Sequence, residues 1–116
     1  MSQTNAIILR IRADKADEFE RMFRDEEVPI WRDFAHRGKL LAASLTRATY
    51  GTEEERWKRE RIVEYILVAV LRDMTAHGEH DEDARFNAFL RKAKQLQPEE
   101  PLVWGGDTTT GERWPM

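Results

Sequence analysis

The longest uninterrupted apolar stretch of the chain is Ile62–Leu71, and its hydrophobic residues do not follow a one-sided pattern. A β-strand turns successive side chains to opposite faces. One face would carry Tyr65 and Leu67, and the other Ile66 and Val68. Both faces of a sheet that contains this strand therefore need a cover.

Alternating apolar and polar positions predict the remaining strands. Besides a strand over Arg61–Arg72, which contains this apolar run, we expect strands at Asn5–Arg12, Lys39–Tyr50 and Leu102–Asp107.

Two helices are predicted between these strands from apolar residues at helical spacing. The first follows Asp14, the expected N-cap, and carries a stripe that includes Glu26 and ends at Phe34. Pro29 interrupts it with a kink or a break. The second helix presents a single apolar stripe made of Phe86, Phe89, Leu90, Ala93 and Leu96.

The order β-α-β-β-α-β predicts an α+β, ferredoxin-like fold, with a four-stranded antiparallel sheet and both helices on one face. We expect this single domain to span residues 1–107. The helices leave the other face bare. Four or five exposed large apolar side chains would forfeit about 1.5–3 kcal/mol each, so we expect a second copy to cover that face.

The composition of the chain limits which partners and which cellular compartment we expect for this protein. The chain has 116 residues, a net charge of −3 and interspersed acidic and basic residues, so neither nucleic acid nor a membrane is an expected partner. It contains no cysteine, and its N-terminus lacks the pattern of a signal peptide. We therefore expect a cytoplasmic protein.

Two polar segments lie outside the four predicted strands and the two predicted helices. Residues 51–61 (GTEEERWKRER) predict either a short helix or an extended arm between the second and third strands, and residues 108–116 form a polar tail. Trp57 and Trp114 lie in these segments, and we favour contacts with the other subunit for both. Trp31 is expected in the core, and Trp104 in the core or in a cavity wall.

The segment from Tyr65 to Leu90 (YILVAVLRDMTAHGEHDEDARFNAFL) resembles the dimeric α/β-barrel superfamily, and within it the antibiotic-biosynthesis monooxygenase type. The matching features are a strand, an acidic turn, a His-x-x-His segment and a helix that opens with Phe-x-x-Phe. The resemblance implies two ferredoxin-like subunits that join their sheets into a barrel. It also implies a small apolar or aromatic ligand between sheet and helices, which is oxidised without a cofactor.

The haem-degrading relatives carry a Trp and a haem-ligating His on the second helix, and this chain has neither there. We therefore expect no haem, and the resemblance to the cofactor-free oxygenases implies no other cofactor.

His77 and His80 are the first candidates for catalytic residues, because a histidine titrates near neutral pH and they are three residues apart. Gly78 indicates a mobile turn, and two histidines without a third rigid ligand favour a structural role over a metal site. Packing at the start of the second helix is the structural alternative.

Tyr65 and Glu64 are the other two candidates, on opposite faces of the apolar strand. A carboxylate there must be paired or protonated, and Arg10, Arg12 or Arg47 are possible partners. Glu64 is therefore half of a cross-strand ion pair or part of an edge of the dimer interface, or else it lies in a cavity as a base with a raised pKa.

The sequence leaves three interpretations open. The first is a cofactor-independent monooxygenase, and the second is a non-catalytic ligand-binding or protein-interaction module. The third is a dimer whose barrel is filled solid. An enzyme requires at least one titratable group directed at the ligand space, whereas a binding protein can be apolar throughout.

Overall fold

A computed structural model describes residues 1–112 and contains one four-stranded antiparallel sheet with the strand order β2-β3-β1-β4. The strands are β1 (Gln3–Arg12), β2 (Leu40–Arg47), β3 (Ile62–Leu71) and β4 (Leu102–Asp107). This order, with helices on one face, confirms the predicted ferredoxin-like α+β fold. Among residues 1–112, no helix is long and apolar enough to cross a bilayer. Trp114 lies outside the described residues.

The first predicted helix is interrupted by a π-helical turn. It consists of α1 (Ala16–Met22), the π turn (Phe23–Glu27) and α2 (Val28–His36), and Pro29 lies in the first turn of α2. A π turn inserts one extra residue and advances the helix face. Glu27 is consequently buried, at 3% exposure, whereas Glu26, the residue predicted in the apolar stripe, is partly exposed.

The start of this helix also differs from the prediction. Asp14 was expected to be its N-cap but lies within a 3₁₀ turn, Ala13–Lys15, and no side chain caps either the turn or α1. The backbone enters the helix through this turn, where the N–H of Ala13 donates to the carbonyl oxygen of Arg61 at 2.8 Å. A backbone hydrogen bond to the residue just before β3 thus anchors this turn, where a side-chain cap was expected.

Two helices, instead of one helix and a mobile turn, follow β3. They are α4 (Met74–Glu82) and α5 (Ala84–Lys94), and each is capped by an aspartate side chain, from Asp73 and Asp83 respectively. These caps satisfy free backbone N–H groups at the start of each helix. The His-x-x-His segment is therefore helical, and Gly78 lies within α4. The apolar stripe predicted for the second helix lies on α5.

The core lies between the helices and one face of the sheet. Its buried members are Leu9, Ile11, Phe19, Phe23, Tyr65, Phe89, Ala93 and Leu96, and Trp31 packs against this cluster. The strand register places Leu9 opposite Tyr65, and Ile7 opposite Leu67, on this helix-covered face.

The other face of the sheet carries no helix over most of its area. Ile8 pairs with both Ile66 and Leu102 across the strands, and Ala6 with Val68 and Trp104, so all of these side chains share that face. Ile66 is 39% and Trp104 62% exposed. The prediction that Trp104 belongs to the core or a cavity wall is therefore wrong: it stands on the open face of an edge strand.

One end of this open face is covered by α3 (Glu54–Glu60), so the charged 51–61 segment is a helix, which Arg61 ends in a left-handed conformation (φ 54°). Below it, Arg10 Nε lies 2.8 Å from Glu64 Oε2, and both side chains are less than 10% exposed. Glu53, next to α3, contacts the same guanidinium at 3.3 Å. Glu64 is thus half of a buried cross-strand ion pair, as the structural interpretation of the sequence proposed.

Trp57 of α3 packs against Gly51, and its indole Nε1 is buried without a hydrogen-bond partner among the described residues.

We expect Arg10→Met to lower the free energy of unfolding by about 3–5 kcal/mol, because it leaves the carboxylate of Glu64 buried without its partner. The double variant Arg10→Met/Glu64→Leu should recover much of that loss, because no charge then remains buried. Urea denaturation measures both. Arg59→Met removes an exposed arginine of α3 as the control and should change stability by no more than about 0.5 kcal/mol. A double variant as unstable as Arg10→Met would contradict the ion-pair explanation.

Candidate functional site

A cleft of about 590 Å³ lies between the helix-covered face of the sheet and helices α1, α2, α4 and α5. Apolar strand residues form its floor and aromatic side chains form much of its wall. Such a volume and lining are typical of a site for a small organic molecule. The floor includes Ile7, Leu9, Leu67, Ala69 and Leu71, and the wall includes Phe19, Phe23, Trp31, Phe34, Phe86 and Phe89.

His77 and His80 both line this cleft, from one side of α4. Residues three apart on a helix are neighbours on its surface, so the helical fold of this segment brings the two imidazoles together. Their side chains are 23% and 17% exposed, respectively.

His80 is paired with the carboxylate that the π turn directs inward. Its Nε2 lies 2.7 Å from Glu27 Oε1. The imidazole packs between two aromatic rings, with centroid distances of 4.3 Å to Phe86 and 5.6 Å to Phe34. Because a carboxylate only accepts hydrogen bonds, Nε2 carries a hydrogen, and Nδ1 is the nitrogen on the side of the ring away from Glu27.

Burial and pairing act on both groups of this pair. Burial raises the pKa of Glu27, and the hydrogen bond and positive charge of His80 offset this only in part. For His80, burial alone lowers the pKa, but the hydrogen bond to Glu27, its charge, and Asp81 together outweigh burial and raise it. The pair therefore holds a proton on His80 more firmly than an isolated histidine would.

His77 is oriented by two buried amides of β1. Asn5 Nδ2 donates to Gln3 Oε1 at 2.9 Å and to the carbonyl oxygen of Ala69 at 3.4 Å, while Gln3 Nε2 donates back to Asn5 Oδ1. This arrangement turns Gln3 Oε1 toward His77 Nδ1, at 2.7 Å. Nδ1 of His77 therefore carries a hydrogen, and Nε2 is the nitrogen on the side of the ring away from Gln3.

Gly105 of β4 allows the two amides to lie this close to the edge strand. A Cβ at this position would be only 2.7 Å from Asn5 Oδ1. The same addition at Gly106 would meet nothing within 4 Å. The amide pair therefore depends on a glycine at one position of β4 and not at the next.

Asp81 lies in front of both imidazoles. Its Oδ2 is 3.0 Å from His77 Nε2 and its Oδ1 is 3.4 Å from His80 Nδ1. The side chain is 54% exposed, in the last turn of α4.

Tyr65 and Glu64 do not contact the two histidines. The hydroxyl of Tyr65 donates to Glu20, and burial, followed by this bond to a carboxylate, raises its pKa. Tyr65 lines a second, smaller cavity of about 280 Å³, which shares Phe23 and Trp31 with the large cleft. Glu64 faces the opposite side of the sheet, where Arg10 holds it.

Sequence reasoning missed Glu27, Gln3 and Asn5. Glu27 followed no helical stripe, because the π turn breaks the period on which such a stripe depends. Gln3 lies before the predicted start of the first strand, and Asn5 was the first residue of that strand. Two amides on an otherwise apolar strand face are the signal that could have found them, since buried polar groups require partners.

Within residues 1–112, no three His, Asp or Glu side chains form a group suited to hold a metal ion.

Comparison with solved structures places this fold among proteins of the antibiotic-biosynthesis monooxygenase type, which confirms the resemblance at the level of fold. No family model and no curated protein matches the sequence.

Three solved structures illustrate the likeness. A Caulobacter crescentus protein assigned as an antibiotic biosynthesis monooxygenase is 20% identical, with a TM-score of 0.75, and the match covers 94% of this chain and 91% of that one. SnoaB, a cofactor-independent oxygenase from Streptomyces nogalater, is 14% identical, with a TM-score of 0.66 and 95% of both chains covered. HapK from Hahella chejuensis is 16% identical, with a TM-score of 0.67, and covers 99% of this chain and 100% of its own.

We expect Glu27→Gln to lower the pKa of His80, because burial then acts on the imidazole without the opposing carboxylate. The chain has three histidines, so NMR titration of the imidazoles can follow each one. His36→Gln removes an exposed histidine and serves as the control. An unchanged His80 titration in Glu27→Gln would contradict the pairing.

The same variant should weaken one pH dependence of stability. Because the pKa of His80 is raised, its contribution to the free energy of unfolding is fully present below the ordinary value of about 6.5 and is lost as pH rises through the folded value. The raised pKa of Glu27 has the same sign at lower pH. In Glu27→Gln this loss of stability with rising pH should be smaller, because only Asp81 then opposes the effect of burial on the imidazole, and urea titrations between about pH 5 and 8 test this.

Proposed function

We propose that the protein is a homodimer that binds a small aromatic molecule in the large cleft and oxidises it with O₂, as a cofactor-independent monooxygenase. One observation carries the proposal: a largely apolar cleft contains a buried carboxylate–imidazole pair, Glu27 and His80, in its wall. A non-catalytic binding site can be apolar throughout, whereas proton transfer requires a titratable group directed at the ligand.

His80 is the base in this proposal. Its Nδ1 takes the proton of a phenolic or enolic hydroxyl once Asp81 has moved aside, and Glu27 stabilises the imidazolium that forms. Proton transfer by a positioned side chain contributes roughly 10²–10⁴-fold to a rate. The apolar walls exclude water, so the resulting anion stays reactive toward O₂.

With 1-naphthol as a small model substrate, the atoms and electrons of the reaction can be followed step by step. Deprotonation makes the ring carbon opposite the oxygen electron-rich, and this carbon adds O₂ as a peroxide, which recovers the proton from His80. Loss of water from the protonated peroxide leaves 1,4-naphthoquinone. One atom of O₂ remains in the product and the other leaves as water with the two hydrogens that the substrate loses.

The homodimer would use the open face of the sheet. That face presents Ile8, Ile66, Val68, Leu102 and Trp104, which is an apolar area that monomers rarely leave in water. A second copy placed sheet to sheet would bury it and leave both ligand clefts, on the opposite faces, accessible.

We expect Val68→Asp to yield a monomer or an unfolded chain, because it places a charge at the centre of the proposed interface. Ala84→Asp puts the same charge on the exposed first residue of α5 and serves as the control. Sedimentation velocity of both variants and of the unmodified protein gives the oligomeric state. A folded, monomeric unmodified protein would exclude the homodimer.

Native mass spectrometry of the protein purified from cells, followed by O₂ uptake with 1-naphthol, tests the function. We expect native mass spectrometry to detect a small molecule that is released from the protein. We expect the uptake measurement to show that one O₂ is consumed for each quinone formed. His80→Gln should slow turnover at least about 100-fold, since it removes the base, whereas His36→Gln should not. Binding without O₂ uptake would make the protein a non-catalytic ligand-binding module. If no aromatic ligand binds to the protein, the proposal is wrong.

A further inference from the structure

The carboxylate of Asp81 spans two imidazole nitrogens that face the same point of the cleft. Oδ2 lies 3.0 Å from His77 Nε2 and Oδ1 lies 3.4 Å from His80 Nδ1. A carboxylate therefore places one oxygen against each histidine.

Each imidazole is also held by a buried acceptor on its rear side, the side that faces away from Asp81. His77 Nδ1 is held by Gln3 Oε1 and His80 Nε2 by Glu27 Oε1, each at 2.7 Å. These two acceptors are buried, at 6% and 3% exposure, and each requires a hydrogen on the nitrogen that it contacts. The front nitrogens of the two rings are thereby directed together at one position, independently of Asp81.

Asp81 itself is poorly suited to remain at that position. Its side chain is about half exposed, at the end of α4, whereas the two histidines and their rear partners are largely buried. Exposed ion pairs contribute little to stability, so turning this carboxylate into solvent requires little free energy.

We propose that His77 and His80, with a hydrogen on the front nitrogen of each ring as well as on the rear one, together donate from Nε2 and Nδ1 to two neighbouring oxygens of an anionic aromatic ligand, and that Asp81 occupies this site as an internal substitute in the free protein. The ligand class is an aromatic carboxylate or an oxyanion with the same two-oxygen shape. This inference rests on the proposed function, because the aromatic body of the ligand would lie in the cleft described above.

Two probes of similar size test the site. 1-Naphthoate carries two oxygens and a negative charge, while 1-naphthol carries one oxygen. Isothermal titration calorimetry measures both affinities in the unmodified protein, in Asp81→Ala and in Glu82→Ala. Glu82 is an exposed acid next to Asp81 on the same helix, so its variant is the matched control for the loss of one negative charge.

We expect Asp81→Ala to bind 1-naphthoate roughly fivefold to tenfold more tightly than the unmodified protein, because it removes both a competitor and a like charge. Glu82→Ala should leave this affinity nearly unchanged. Adding His77→Gln or His80→Gln to Asp81→Ala should weaken 1-naphthoate roughly tenfold, with a smaller effect on 1-naphthol. Circular dichroism verifies that each variant is folded.

A change of 1-naphthoate affinity in the opposite direction would overturn the inference. If Asp81 only stabilises the charged histidines, Asp81→Ala would bind 1-naphthoate equally or more weakly. That result with 1-naphthol still bound would remove the two-oxygen site and leave the proposed function intact. If neither probe binds the unmodified protein or Asp81→Ala, both the proposed function and the inference fail.

Discussion

The architecture depends on a strand that is apolar on both faces. β3 packs its odd-numbered side chains, among them Tyr65 and Leu67, beneath the helices and turns Ile66 and Val68 the other way. Because a sheet has two sides and the long helices cover one, the cleft and the unpaired apolar surface arise on opposite faces of the same four strands. Ligand binding and self-association can therefore use one sheet without competing for the same side chains.

The polar groups of the cleft form a layered arrangement rather than a scattered one. Buried acceptors, Gln3 and Glu27, stand behind the two imidazoles, and the exposed Asp81 stands in front of them. The rear layer fixes which nitrogen of each ring carries hydrogen, and burial makes that choice hard to reverse. Only the front layer is exposed enough to exchange its partners without uncovering a buried group.

The fold was largely predictable because its signals are local. The apolar run of β3 and the stripe on α5 each identify an element and the face that it buries. His77 and His80 were found because their residue types and spacing are visible in the chain. Glu27 was not, since its burial follows from a break in helical period, and α4 was not, since its polar residues form no apolar stripe. Trp104 was misplaced because nothing in a short edge strand tells which of its faces lacks a helix.

The π turn has a consequence for how the protein can change over generations. A π turn amounts to one inserted residue in an α-helix, and its loss would rotate the inward carboxylate away by about 100°. Deleting one codon there would keep a helix of almost the same length above the same sheet, yet leave His80 without its buried partner. Acquisition or loss of the carboxylate–imidazole pair is thus one short genetic step, whereas acquisition of the fold is not. The backbone of this fold therefore does not by itself determine whether the cleft holds such a pair.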